Sequence, residues 1–192
     1  CDVVGPGVGQ VAGIQAKRDV VRVSVGKESL DLGLGFHMAV GVRVELQPHA
    51  DSHVETQAQV ERFLTDTNPD YVSLCLDTGH LAYTRADNVA IIKKFPSRIG
   101  YVHIKQMDPA IVAEAEAGDL AFAQAVAMGA SCEPPNGLPD IRSVLDALAE
   151  LDAELFVVVE QDMYPCDFGK PKPIAKRTYD YLTASGVGGG TA

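Results

Sequence analysis

Four short apolar runs, each followed by at least one segment of helical period, constrain this chain more than any other feature. They are "VRVEL" (42–46), "YVSLCL" (71–76), "RIGYVHIK" (98–105) and "LFVVVE" (155–160). Runs of this length, rich in Val, Ile and Leu, suit strands buried on both faces. Apolar residues recur at helical spacing in "VETQAQVERFLTD" (54–66), "DNVAIIKKF" (87–95), an Ala-rich stretch over 108–129, "IRSVLDALAEL" (141–151) and "PIAKRTYDYLTAS" (173–185). "CEPPNGLPD" (132–140) reads as a loop from its Pro and Gly content. Strand followed by helix, four times over, predicts a parallel α/β sheet covered by helices. Both a doubly wound sheet and a (β/α) barrel satisfy that pattern.

The flanks are less regular. Residues 1–26 are Gly/Val-rich, with 11–16 and 20–25 as short strand candidates. Residues 28–40 have roughly helical apolar spacing, weakened by two interior glycines at about 1 kcal/mol each. "GPGVGQVAG" lacks the strand–turn–helix frame of a phosphate loop. The expected organisation is a poorly defined segment over 1–41, one domain over 42–185 and a disordered glycine-rich tail over 186–192. The first residue is Cys rather than Met, so a trimmed or incomplete chain is expected.

Composition removes several classes of function. The formal net charge is −10, with no Lys/Arg run, which excludes nucleic acid as the expected partner. No apolar stretch reaches membrane-spanning length, so no membrane association is expected. The four cysteines show no C-x-x-C spacing. Reduced thiols in a cytoplasmic protein are the simplest reading.

Each apolar run also delivers one strong ligand or acid/base group near its C-terminal edge: Glu45, Asp77, His103 (followed by Lys105) and Glu160. Taken singly, most have an ordinary explanation. Asp77 suits a helix N-cap, Glu45 an outward-facing strand position, and His103 a hydrogen-bonded core histidine. Glu160, after five apolar residues, is hardest to explain that way. In a parallel barrel such edges converge on one mouth. Carboxylates plus an imidazole suit a hard or borderline divalent cation, Mn²⁺, Co²⁺, Zn²⁺ or Mg²⁺. A cation would also offset the cost of buried anions.

"SLCLDTGHLAY", "RIGYVHIKQMDP", "CEPPNGLPDI" and "FVVVEQDMYP" occur in this order. Together they resemble the xylose-isomerase-like TIM-barrel superfamily, within it the sugar phosphate isomerase/epimerase and inosose dehydratase proteins. The resemblance covers roughly 42–185. It implies a metal held by Glu45, Asp77, His103 and Glu160, with Glu45, Glu160, Lys105 and His80 as the catalytic residues. It further implies that His80 faces substrate or supports the ligands, that Lys105 binds a substrate oxygen, and that His49 contacts substrate or metal. Gln47 stands where relatives often carry a histidine.

The expected activity is metal-dependent isomerisation or epimerisation of a sugar phosphate, or dehydration of inosose, each beginning with proton removal next to a carbonyl. The expected partner is a small sugar or cyclitol. A DNA-repair endonuclease shares the superfamily, but the acidic charge argues against that chemistry. A complete barrel needs eight βα units and about 250 residues. The chain therefore reads as the C-terminal portion of a barrel, with roughly the first three strands missing. An inactive fragment serving as an assembly module is the alternative. An open sheet whose concave face includes Val44, Leu76, Val102 and Val158 would then self-associate through its exposed edges.

Overall fold

The computed structural model describes residues 43–187, together with the backbone at 30–31 and 37–38. The strand candidates at 11–16 and 20–25 lie outside the described residues. β1 (Leu30–Asp31) and β2 (His37–Met38) form a two-residue antiparallel ladder, with Leu30 opposite Met38. At these residues the helix expected over 28–40 is replaced by strand pairing. Gly33 and Gly35 lie between them in the sequence and weaken helix formation.

The centre of the molecule is a four-stranded parallel sheet of β3 (Val44–Leu46), β4 (Val72–Asp77), β5 (Ile99–Ile104) and β8 (Phe156–Val159), in that order. Four helices start on an aspartate whose side chain accepts backbone N–H groups. They are α2 (Thr78–Tyr83), α3 (Asn88–Lys94), α4 (Pro109–Ala117) and α6 (Ile141–Ala149), capped by Asp77, Asp87, Asp108 and Asp140. Thr56 and Gln59 cap α1 (Gln57–Asp66) reciprocally. The Ala-rich stretch expected as one helix is two, α4 and α5 (Phe122–Met128). Gly118 ends α4, and Asp119 at φ +49 cannot continue a right-handed helix. β6 (Gln106–Met107) pairs with β7 (Ser131–Cys132) and fastens the 132–140 loop beneath them.

The main core lies between the sheet and its helices. Leu74, Leu76, Val102, Ile104 and Val157 pack against Val60, Leu64, Ile91, Ile92, Val144 and Leu148. Truncating such a residue, for instance Leu76→Ala, costs about 2–5 kcal/mol. Leu76 and Val102 therefore belong to the helix side, not to the concave face expected for them. A strand's side chains alternate, so the other face of the sheet carries Cys75, Asp77, Tyr101, His103, Phe156 and Val158. On it Phe156 is 49% exposed and Val158 38%.

The last helix, α7 (Pro171–Ala184), ends in a turn closed by Gly186 at φ +87, with Val187 N–H donating to Leu182 O. Val187 is buried in the main core. No helix among the described residues is long and apolar enough to cross a membrane.

Candidate metal centre

Asp77 ends β4 and starts α2, and its two oxygens do different work. Oδ1 accepts the N–H groups of Gly79 (3.0 Å) and His80 (2.9 Å), which caps the helix. Oδ2 faces away from the helix and meets His103 Nδ1 at 3.4 Å. Asp77 and His103 are register partners on adjacent strands, so sheet geometry itself holds them level. Glu160 follows β8, and its N–H donates to Ile104 O, which extends the ladder by one step and brings its carboxylate to the same edge. Glu160 Oε2 lies 2.7 Å from His103 Nδ1.

One donor atom from each of Asp77, His103 and Glu160 lies within 4.8 Å of the other two. Glu160 Oε2 and His103 Nδ1 are buried and have no directed hydrogen-bond partner. Inward-facing donor atoms gathered at this spacing fit a divalent cation, whose bonds of about 2.0–2.2 Å bring neighbouring ligands to roughly 3–3.5 Å. Without a cation, contact with Asp77 first, and with Cys75 and Glu160 after it, pushes the His103 imidazole up to about 12. Burial opposes ionisation of Asp77, but His103, Lys105 and His80 outweigh it and lower its carboxyl to about 2. His103 also draws the Glu160 carboxyl below its ordinary range.

Behind these groups lies a buried ammonium. Lys105 Nζ contacts Asp162 Oδ2 (2.9 Å), His80 Nε2 (3.0 Å), Glu160 Oε1 (3.3 Å) and Asp77 Oδ2 (3.4 Å). Burial works against its charge, but Asp77 and Asp162 outweigh that and raise it. The Lys105 stem crosses the first turn of α2 so closely that a Cβ on Gly79 would overlap it. Thr78 Oγ1 donates to Lys105 O and accepts from Lys105 N–H, fixing the strand end to the helix.

His80 is 1% exposed, with Nδ1 accepting Ala50 N–H, and burial lowers it to about 4. His49 stacks on it at 3.8 Å between centroids and is itself exposed. Of the residues expected to face substrate, His49 alone reaches solvent; His80 and Lys105 are buried beside the carboxylates of Asp77 and Glu160.

Glu45 is not brought to this cluster. Its register partner is Ser73, four residues before Asp77, about 13 Å down the strand. Its carboxylate packs over Gly100, and burial raises its pKa. The side chain that reaches Asp77 from the β3 chain is that of Gln47 instead, whose Nε2 donates to Asp77 Oδ2 at 3.1 Å. Asp162 is the site residue that sequence reasoning missed. Its only signal there is a second acid two residues after Glu160.

The model of the Xylose isomerase-like TIM barrel family matches residues 27–184. The chain is 35% identical over 125 residues to inosose dehydratase 2 of Bacillus cereus, covering 65% of this chain and 42% of that protein. It is 30% identical over 146 residues to inosose dehydratase of Lacticaseibacillus casei, covering 76% and 49%. The chain thus spans about half the length of the curated relatives it matches. In fold it resembles the probable 3-DHS dehydratase AsbF of Bacillus anthracis, with TM-score 0.57 and 17% identity over 73% of this chain and 49% of that one. It also resembles the IOLI protein with a bound zinc atom, with TM-score 0.51 and 19% identity over 77% and 48%. With a parallel sheet that gathers Asp77, His103 and Glu160 at its C-terminal edge and a family match over most of its length, the chain belongs to the xylose isomerase-like TIM barrel family.

Proposed function

We propose that this chain carries the metal-binding portion of an enzyme that removes a proton next to a ketone in a sugar or cyclitol, with inosose (2-keto-myo-inositol) dehydration as its reaction. The observation that carries the reading is the cluster of Asp77, His103 and Glu160. The name borne by the relatives at 30–35% identity favours dehydration over sugar phosphate isomerisation or epimerisation. The zinc in the IOLI structure supports a cation in a protein of this fold, and Mn²⁺, Co²⁺ and Mg²⁺ suit the same donors.

A divalent cation held there would polarise the substrate carbonyl and stabilise negative charge on its oxygen. The side chain of Glu160 is 36% exposed, against none for Asp77, so Glu160 is the carboxylate placed to take the α-proton. The C–H electron pair moves into a new double bond. In dehydration the β-hydroxyl then leaves as water with a returned proton; in isomerisation or epimerisation the proton returns to carbon. His49, exposed at the mouth, contacts substrate hydroxyls, while His80 and Lys105 orient the carboxylates.

The test is incubation of the chain with inosose and each of Mn²⁺, Co²⁺, Zn²⁺ and Mg²⁺, following loss of water by mass spectrometry. Metal-dependent loss of water that stops in excess chelator is expected. Undiminished turnover in excess chelator rejects the mechanism. A chain that binds no cation and turns over no substrate supports the inactive assembly module instead.

A further inference from the structure

We infer that Asp162 is a positioning residue, whose carboxylate holds the Lys105 ammonium and so leaves Asp77 and Glu160 free to take a cation. The inference rests on the metal-centre reading above. Lys105 is fully buried, and a buried ammonium must be paired. Three carboxylates surround it, and two of them belong to the metal cluster. Asp162 Oδ2 makes the shortest of these contacts, 2.9 Å against 3.3 Å to Glu160 and 3.4 Å to Asp77. Asp162 is therefore the nearest counter-charge of the ammonium.

The anchor on Asp162 is independent of the cluster. Its N–H donates to Ser131 Oγ, and its side chain borders a cavity of about 420 Å³ lined by Ser131, Cys132, Gln161, Tyr164 and Lys170. Asp162 borders this cavity and also contacts Lys105, and among the described residues the other carboxylates that pair with Lys105 are those of Asp77 and Glu160. Without its charge, the only carboxylates left to Lys105 are the two ligands. An incoming cation must then break an ion pair and bind beside an ammonium that no third carboxylate offsets.

The test measures Zn²⁺ and Mn²⁺ affinity by titration calorimetry on the chain and four variants. Asp162→Asn is expected to weaken binding about tenfold, and Lys105→Met to strengthen it severalfold. The double variant should bind as Lys105→Met does, because there is no ammonium left to redirect. A role confined to loop packing would lower affinity equally in both backgrounds, and that result overturns the inference. Ser131→Ala removes the backbone anchor without altering charge and is expected to change affinity less than twofold. It remains informative if Lys105→Met fails to fold, since a loss equal to that of Asp162→Asn would assign the effect to the loop. Wild-type affinity retained by Asp162→Asn overturns this inference alone. Absence of cation binding by the wild-type chain overturns both it and the metal centre.

Discussion

Asp77 Oδ2 stands 3.4 Å from Nδ1 of His103, its register partner across the β4–β5 ladder. The other oxygen of the same carboxylate caps α2. The helix-cap and metal-ligand readings of Asp77 are alternatives in the sequence; the structure accommodates both, one on each oxygen. The helix fixes the carboxylate's orientation, and the strand fixes its height.

The two roles separate by mutation. Asn caps a helix about as well as Asp, so Asp77→Asn should cost little stability by the cap and still weaken divalent binding by at least about tenfold. Asp77→Ala should lose a further ~1 kcal/mol of stability. Urea unfolding and calorimetric titration, run on both variants, read the two effects. Equal metal affinity for Asp77→Asn and wild type would remove Asp77 from the ligand set.

Cation binding should release a proton. His103 is held protonated at neutral pH by Asp77, Cys75 and Glu160. An imidazole must be neutral to ligate. Affinity should therefore rise with pH between 6 and 8, and heats measured in buffers of different ionisation enthalpy should reveal close to one proton released. His103→Ala should abolish both the release and most of the affinity. Proton release that persists in this variant would point to another group.

Stability should fall with acid in a window set by His80. Its folded pKa is depressed to about 4 from an ordinary 6.5. The unfolded chain therefore takes up this proton first. The contribution is complete above about pH 6.5 and is lost as pH falls towards 4, up to about 3 kcal/mol in total. Wild-type chain should lose stability between pH 7 and 5 in urea titrations, and His80→Gln should flatten that slope. Identical slopes would mean the buried imidazole is not the group responsible.

The 192-residue chain in solution is expected to self-associate. β3 and β8 are sheet edges among the described residues, and Phe156 and Val158 are exposed on the face opposite the helices. Sedimentation at low micromolar concentration should give a mass above that of one chain. A concentration-independent monomer would count against the sheet edges as a contact surface.

Much of the architecture is legible because it is local. The buried runs around Leu74, Val102 and Val157 read as strands, and the segments 87–95 and 141–151 as helices, since periodicity acts within a few residues. The glycine-interrupted 28–40 stretch misleads because its apolar spacing is close to helical, whereas Leu30 and Met38 gain their pairing from residues several positions away. Assigning Leu76 and Val102 to the concave face is an error of phase. Both faces of such strands are apolar, so alternation gives no sign of which side meets the helices.

The sequence by itself determined that Asp77, His103 and Glu160 lie at or next to strand ends, because strand ends are set by short-range pattern. Tertiary structure alone decided which groups share a level. Register across β3 and β4 leaves Glu45 four residues short of Asp77, and Gln47 comes to it instead. The same packing buried Lys105 among carboxylates and added Asp162, an acid with no periodic or capping signature. Distances between side chains on different strands depend on register and on the path of the loops between them, and neither is written in the residues at the strand ends.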